Sequence, residues 1–180
     1  MSETHDELQA VLLAQCGDPV ALETLLLGVQ KSLSRYISGL VGRQAAEDVL
    51  QEVFVKLWRN LEWLHRPELF RPWAYRIASR ACHAHLKRAR RWSDRLDEAA
   101  MVEDLPAPTN CGIDSLVGLE SLLERVSPAS RAVLLLHYAE DLSIEETAAI
   151  LDISVGTAKS RLAYGLSCLR ESTSSKGQVP

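Results

Sequence analysis

SIEETAAILDISVGTAKSRLAYGL, residues 143–166, contains the clearest structural pattern in this 180-residue chain. Ser143 and Glu146 open it in the pattern of a helix-capping box. Apolar residues then recur with the period of one helix face, at Ile144, Ala148 and Leu151. The turn 152–154 interrupts that period, and Ser154 is suited to cap a second helix. The stretch therefore predicts a helix-turn-helix.

The second predicted helix has two chemically different faces. One is apolar and is formed by Val155, Ala158, Leu162, Leu166 and Leu169. The other is polar and is formed by Thr157, Ser160, Arg161 and Tyr164, with Lys159 at its flank. The polar residues near the N-terminus of such a helix can enter the major groove, where Arg pairs with guanine and hydroxyls bind bases or phosphates. The pattern favours DNA binding over the alternative, a helical hairpin whose Lys and Arg are only solvated surface.

Composition favours a soluble, cytoplasmic protein with no membrane insertion. Hydrophobic residues make up 47% of the chain, which is sufficient for small packed cores. There is no apolar run of about 18 residues and no N-terminal signal pattern. The cysteines form no CxxC pair and are predicted to be reduced thiols; they are Cys16, Cys82, Cys111 and Cys168.

The net charge of −4 conceals two opposed fields along the chain. Residues 71–95 carry eight Lys and Arg against one acid. Residues 96–146 carry eleven acids against two Arg. A charged partner responds to the local electric field of a segment more than to the net charge of the whole chain. The basic segment can therefore bind nucleic acid although the protein is acidic.

The chain is predicted to be all-α, with two small helical domains joined by a flexible acidic linker. About four helices fill the first part, and one of them has the apolar stripe Ala46, Val49, Val53, Leu57 and Leu61. Pro106, Pro108 and Gly112 mark the linker, which has no helical period. The predicted boundaries are 1–92 for the first domain, 93–117 for the linker, 118–171 for the second domain and 172–180 for a disordered tail.

A basic stripe runs along the fourth predicted helix, at Arg76, Arg80, His83, Lys87 and Arg91. Trp73 and Tyr75 lie near its start and Trp92 near its end. Cations bind phosphates and flat rings stack on unpaired bases, so this composition suits melted DNA. Trp73 itself is better explained as a core residue. For the cations we favour DNA binding over a solvated face.

Three segments in this order resemble the extracytoplasmic-function (ECF) group of alternative sigma factors in the bacterial sigma-70 family. AEDVLQEVFVKLW, residues 46–58, resembles the polymerase-binding helix of that group. FRPWAYRIA, residues 70–78, with the basic run to Arg91, resembles the helix that binds the −10 element. Residues 143–166 match its −35-reading motif. The resemblance implies an all-α fold that retains only sigma domains 2 and 4.

The resemblance also implies roles for individual residues. The clamp helices of core RNA polymerase would contact Asp48, Gln51, Glu52 and Lys56, with Trp58 supporting that surface. The −10 element would contact Trp63, His65 and Arg66 of a base-capturing loop and Arg76, Arg80, Lys87, Arg88 and Arg91 of the helix. The −35 duplex would contact Ser154, Thr157, Lys159, Ser160 and Arg161. The acidic linker would thread a polymerase channel shaped for nucleic acid.

The sequence departs from the family pattern at three positions. Arg80 stands where many relatives have Asn, and Ala84 where they often have Asp, which leaves the −10 sequence preference open. Asp152 stands in the turn where Gly is usual. Asp tolerates the left-handed conformation better than most residues, so this change should cost no more than ~1 kcal/mol.

The function implied is promoter recognition and strand opening by core RNA polymerase, with an anti-sigma factor as a further partner. No catalytic triad, carboxylate pair or glycine-rich phosphate loop is visible, so we expect no enzyme and no cofactor. Cys82, His83 and His85 cluster without an evident third ligand, so no metal site is predicted.

Two other classes of protein remain as alternatives. A stand-alone helix-turn-helix transcriptional regulator, whose N-terminal half dimerises or senses a ligand, explains the C-terminal motif equally well. It leaves the basic aromatic helix and the acidic linker without a role. An interaction module that has lost DNA binding would not need Lys159 and Arg161.

Overall fold

The chain folds into helices connected by short turns. In the computed structural model, residues 2–99, 122–123 and 125–174 are described, with their side chains over 6–91, 122–123 and 125–171. The helices are α1 (Ser2–Gln15), α2 (Pro19–Val41), α3 (Arg43–Asn60), α4 (Phe70–Ala99), α5 (Pro128–Leu134), α6 (Ile144–Leu151) and α7 (Val155–Ser174). Single 3₁₀ turns at Leu61–Trp63 and Pro67–Leu69 link α3 to α4, and a π-helical turn at Leu135–Ala139 follows α5. These residues include no strand, which confirms the predicted all-α class.

Side-chain caps and proline begin two of the helices. The Asp18 carboxylate accepts hydrogen bonds from the backbone N–H groups of Val20 and Ala21, at 2.9 and 3.2 Å, before α2. Ser127 caps α5 in the same way, and Pro128 follows it as predicted. Proline suits the first turn because its N–H would have no helical partner there.

Gly42 turns the chain between α2 and α3. Its φ of +82° lies in the region that strains L side chains, and its N–H donates to the Ser38 carbonyl at 2.9 Å. The turn folds α3 back against α2, so that both helices pack with α4 around one core.

The core of the N-terminal helices contains the apolar stripe predicted on α3. Each member is buried: Ala46, Val49, Val53, Leu57 and Leu61. They pack with Leu33, Tyr36 and Ile37 of α2 and with Phe70 and Ala78 of α4. Trp73 is half-buried against this core, with its ring centroid 6.2 Å from that of Phe70, in agreement with the core role preferred from sequence.

The C-terminal helices bury further apolar residues, which include Val126, Val133, Ala148 and Ala158, whereas their Leu136 belongs to the same core as the N-terminal helices. Of the stripe predicted on α6, only Ala148 is fully buried, whereas Ile144 and Leu151 are half-buried. Thr147 and Ile150 complete the buried face instead. The face is rotated because α6 packs on two sides, against α7 and against α4.

Two helices run further than the sequence interpretation placed them. α4 continues to Ala99, into the segment predicted as linker, because residues 93–99 contain no proline or glycine to end it. α7 continues to Ser174, into the predicted tail, since residues 172–174 contain no proline or glycine to end it. Residues 100–117 of the predicted linker, residues 118–121 and 124 of the predicted second domain, and the tail from residue 175 lie outside the described residues. Within the described part of the chain, no helix has the length and apolar character needed to cross a membrane.

Candidate nucleic-acid interface

The helix-turn-helix begins with a reciprocal cap. The Ser143 hydroxyl accepts the Glu146 N–H at 3.1 Å, and the Glu146 carboxylate accepts the Ser143 N–H at 2.9 Å. The hydrogen bonds from Ser143 lower the pKa of Glu146 below its ordinary value. The predicted capping box is confirmed, and it fixes the start of α6.

The turn between the two helices depends on a left-handed residue. Asp152 has φ 57° and ψ 47°, and its N–H donates to the Ala148 carbonyl. The Ile153 N–H donates to the same carbonyl at 3.0 Å, and the Ile153 side chain is half-buried at the angle between the helices. The left-handed conformation expected of Asp152 is confirmed.

The N-terminus of α7 is capped and carries the predicted −35 residues. The Ser154 hydroxyl accepts the Thr157 N–H at 3.1 Å and lies 2.8 Å from the Thr157 hydroxyl. Lys159 and Ser160 are exposed, and the Ser160 hydroxyl donates back to the Thr157 carbonyl. Arg161 is half-buried and lines a cavity that residues of α2, α4, α5 and α6 also line. All five residues are therefore exposed wholly or in part at this end of the helix-turn-helix.

The distal part of the basic stripe on α4 is open to solvent. Lys87, Arg88 and Arg91 are exposed. Arg88 lies on the side of α4 next to α3, where its Nη2 is 3.3 Å from the Glu52 carboxylate. This end of the helix can approach a phosphate backbone without rearrangement of the described residues.

The proximal part of the stripe contacts the helix-turn-helix instead. Arg76 donates from Nη2 to the Ala149 carbonyl at 2.8 Å. Arg80 lies with Nη2 4.0 Å from the Asp152 carboxylate, and both of these side chains are mostly exposed. The predicted −10 residues are therefore divided between a solvent-facing half and a half directed at α6.

The loop between α3 and α4 presents its aromatic residue to solvent. Trp63 is 67% exposed, whereas Leu61 and Leu64 on either side of it are buried. The Gln15 side-chain amide donates to the carbonyls of both leucines, at 2.8 and 3.0 Å. The loop is therefore fixed at its base by α1, with Trp63 free to stack. Sequence reasoning missed Gln15 because its partners lie far along the chain.

The remaining loop residues are polar and exposed. His65 and Arg66 face solvent, and Arg66 pairs with Glu68 at 2.8 Å. The hydrogen bond from Arg66 lowers the pKa of Glu68. An exposed ion pair of this kind adds little to stability, so Arg66 can exchange Glu68 for a phosphate at low cost.

The polar residues predicted to contact polymerase lie on the outer face of α3. Asp48 and Gln51 are exposed, and Trp58 is 60% exposed. Glu52 and Lys56 are half-buried and pair with each other at 2.7 Å. The hydrogen bond from Lys56 is the main cause of the lowered pKa of Glu52. A large exposed indole beside charged groups is typical of a protein-binding surface.

Cys82 is a packed residue of the core. It is 1% exposed, and burial raises the pKa of its thiol to about 12. His83 beside it is exposed, and no group of three or more potential metal ligands lies together among the residues that the structure describes.

Two family models match this chain, one over its N-terminal part and one over its C-terminal part. Sigma-70 region 2 matches residues 25–92, and sigma-70 region 4 matches residues 116–169. The chain belongs to the sigma-70 family. The first match contains α3 and the basic part of α4, and the second contains the helix-turn-helix.

The sigma factor is similar to curated members of the ECF group. It is 28% identical over 178 residues to the ECF RNA polymerase sigma-E factor of Escherichia coli strain K12, covering 90% of this chain and 91% of that one. It is 27% identical over 176 residues to the sigma-E factor of Haemophilus influenzae, covering 90% and 92%. The chain is therefore an alternative RNA polymerase sigma factor, which directs core polymerase to promoters and opens them; the stand-alone regulator is not favoured.

Two solved structures share the fold. The sigma factor RpoE of Bartonella quintana, in complex with the anti-sigma factor NepR, has a TM-score of 0.69 at 23% identity, covering 83% of this chain and 94% of that one. CnrH, in complex with the cytosolic domain of CnrY, has a TM-score of 0.70 at 22% identity, covering 94% and 98%. At these identities the likeness establishes the fold.

The sigma factor also contains a polar junction that the sequence did not reveal. Glu140 follows the π-helical turn and contacts both Arg35 of α2 and Tyr75 of α4. Burial and the hydrogen bond to Glu140 raise the pKa of the Tyr75 hydroxyl. Arg35 and Glu140 are 105 residues apart, so no local period could have paired them.

Proposed function

We propose that residues 1–92 form a sigma domain 2 and residues 118–171 a sigma domain 4, with the site residues divided between them. Core polymerase binds the outer face of α3, through Asp48, Gln51, Glu52, Lys56 and Trp58. The −10 strand binds the loop before α4 and the basic stripe on it. The −35 duplex binds the N-terminal part of α7.

One observation supports this division more than any other. The chain carries two basic surfaces, the capped N-terminal part of α7 and the exposed end of α4, and a third surface on α3 with an exposed Trp58. A repressor that binds duplex DNA uses only the first. A promoter-opening subunit uses all three, because it must bind a duplex, a melted strand and the polymerase.

The proposal is tested by measuring binding to core RNA polymerase and to DNA separately. We expect the purified chain to associate tightly with core polymerase, and the complex to bind a duplex with both promoter elements. A folded chain that fails to associate with a competent core enzyme would contradict the proposal. Tight binding to a palindromic duplex without polymerase would support the stand-alone regulator instead.

The cellular location of the chain and its regulation by a partner protein are part of the same proposal. The two solved relatives are complexes, one of them with an anti-sigma factor. We propose that an anti-sigma factor also binds this chain. We further propose that this chain acts in the cytoplasm and catalyses no reaction itself. Pull-down from cells of its own species is carried out with the chain as bait and, in parallel, with the Asp48→Ala, Gln51→Ala variant. A partner retained by the variant while polymerase is lost would be distinguished from polymerase.

A further inference from the structure

A cavity of about 390 Å³ is lined by residues of α2, α4, α5, α6 and α7. Cavities of roughly 300–1,000 Å³ are the size that binds small molecules in proteins. Leu40, Ala132 and Ile150 of its wall are buried, and the other aliphatic residues are half-buried. The aliphatic wall consists of Leu40, Leu86, Ala132, Ile150, Leu151 and Ile153. A hydrocarbon body placed against this wall would be removed from water, which is favourable.

The same cavity is lined by cationic groups that solvent reaches. Arg80 and His83 of α4 are exposed, and Arg161 of α7 is half-buried. Among the lining residues that the structure describes, Asp152 is the one acid. Its carboxylate lies 4.0 Å from Arg80 Nη2, and both side chains are mostly exposed. Because an exposed pair of this length contributes little, an anion can replace Asp152 as the partner of Arg80.

The hydroxyl groups of the wall do not attract an anion. The Ser79 hydroxyl donates to the Tyr75 carbonyl at 2.7 Å and lies 2.7 Å from the Tyr36 hydroxyl. Because serine has a single hydroxyl proton, Tyr36 is the donor in the second contact. Both protons are thus used within the protein. The anionic group of a ligand is therefore directed to the arginines, and its apolar part to the aliphatic wall.

We propose that this cavity binds an anionic amphiphile, a medium-chain carboxylate whose hydrocarbon chain lies against the aliphatic wall. Guanidinium groups bind carboxylates through charge-assisted hydrogen bonds, which are stronger than those between neutral groups. The effect of the ligand rests on the proposed function, because Arg80 and Arg161 are also proposed to contact DNA. A bound carboxylate occupies guanidinium groups that would otherwise bind the promoter. The ligand therefore competes with promoter DNA.

Calorimetric titration of the purified chain with decanoate, kept below its micelle concentration, tests the site. We expect saturable binding of one decanoate per chain. Decyltrimethylammonium has the same hydrocarbon chain and the opposite charge, and it should not bind. Each methylene removed from the carboxylate should weaken binding by up to about fourfold, which corresponds to about 0.8 kcal/mol per buried methylene.

Substitutions of the lining residues test the two halves of the ligand separately. Arg161→Gln should lower decanoate affinity about tenfold, because a charge-assisted hydrogen bond is lost. Arg90→Gln removes an exposed cation outside the cavity and is its matched control. Leu86→Ala should also weaken binding, whereas Leu27→Ala, at an exposed position outside the cavity, should not. Circular dichroism verifies that each variant is folded.

Nuclear magnetic resonance locates the ligand independently of any substitution. The methyl resonances of Leu40, Ile150 and Ile153, which line the cavity, should shift as decanoate is added. Those of Leu12 and Leu27, which are exposed outside it, should not. Shifts confined to residues outside the cavity would overturn the site, as would equal binding of decanoate and decyltrimethylammonium.

Transcription separates the failure of this site from the failure of the proposed function. Run-off transcription with core polymerase is measured with and without decanoate, each protein relative to its own level without the ligand. We expect decanoate to lower transcription by the wild type, and to have a smaller effect on Leu86→Ala. Transcription that decanoate does not lower, despite saturable binding, would overturn the competition with DNA. Saturable binding without transcription under any condition would contradict the proposed function and leave the site standing.

Discussion

Arg76 of α4 donates a hydrogen bond to the backbone carbonyl of Ala149 in α6, at 2.8 Å. The bond links a cation on the predicted −10 surface with the helix-turn-helix proposed to bind −35 DNA. A backbone carbonyl is a weaker partner for guanidinium than a phosphate is, so a phosphate of bound DNA can replace it. The contact is one of several that hold α4 against α6, together with the apolar packing of Ile150.

Arg161→Ala should weaken initiation that depends on the −35 element by about 1–3 kcal/mol, the scale of one specific base contact. Arg161 is half-buried and carries no core packing, so the fold should persist. The measurement is run-off transcription on a promoter with its native or a scrambled −35 element. Arg125→Ala, an exposed arginine outside α7, serves as the control. Normal initiation by an Arg161→Ala protein that still binds core polymerase would contradict the assignment.

Asp48→Ala combined with Gln51→Ala should lower affinity for core polymerase about tenfold or more, which corresponds to about 1.4 kcal/mol. Both side chains are exposed on α3, so the melting temperature should not change. The association constant is measured by fluorescence anisotropy with labelled chain. Glu23→Ala with Gln30→Ala, an exposed acid and amide on α2, is the matched control. An equal loss of affinity for core polymerase in both double variants would show that α3 has no specific role in binding polymerase.

Gln15→Glu should destabilise the loop before α4. The carboxylate has the shape of the amide but cannot donate to the Leu61 and Leu64 carbonyls. Loss of the two hydrogen bonds should lower the free energy of unfolding by about 1–3 kcal/mol, as measured in urea. Promoter opening should fall as well, because Trp63 is no longer held in place. Wild-type stability in the variant would show that the loop is fixed by apolar packing alone.

Trp63→Ala should impair strand opening while leaving −35 binding intact. The indole is 67% exposed, so its removal costs little stability, whereas a lost base stack costs about 1–3 kcal/mol. Fluorescence of 2-aminopurine placed in the −10 element reports opening directly. Trp63→Phe keeps a flat ring and should retain part of the signal. If Trp63→Ala opened the promoter as well as the wild type does, the loop would not be the base-capturing element.

Glu146→Gln should lower stability at neutral pH and have a smaller effect in acid. The folded-state pKa of Glu146 is depressed below 4.5, so its carboxylate stabilises the chain above that pH and loses the effect as pH falls through the depressed value. At neutral pH the difference should be about 0.3–1 kcal/mol, typical of a charge at a helix N-terminus. Urea unfolding from pH 7 to pH 3 measures it. A difference that did not shrink in acid would show that the charge is not the cause.

Local chemistry was sufficient to predict much of the C-terminal site. Ser143 and Glu146 cap each other as their spacing indicated, and Asp152 takes the left-handed conformation that the turn requires. The buried stripe of α3 followed from the helical period alone. These features depend on residues within one or two helical turns of each other.

Contacts between distant segments could not be predicted in the same way. Gln15 supports a loop 46 residues away, and Glu140 binds a residue 105 positions earlier. In the sequence a single glutamate or arginine gives no sign of its partner when that partner lies outside the same helix. Such a pair becomes evident only in the tertiary structure. The rotation of the buried face of α6 has the same origin, since α6 packs on α4 as well as on α7.

Run-off transcription on fragments of its own genome, with purified core RNA polymerase in the presence and absence of this chain, measures whether the chain directs initiation. We expect discrete start sites that appear only when the chain is added, with shared −35 and −10 sequences upstream of them. No new transcripts from a competent core enzyme, with no association between the two proteins, would show that the chain is not a sigma factor for that enzyme.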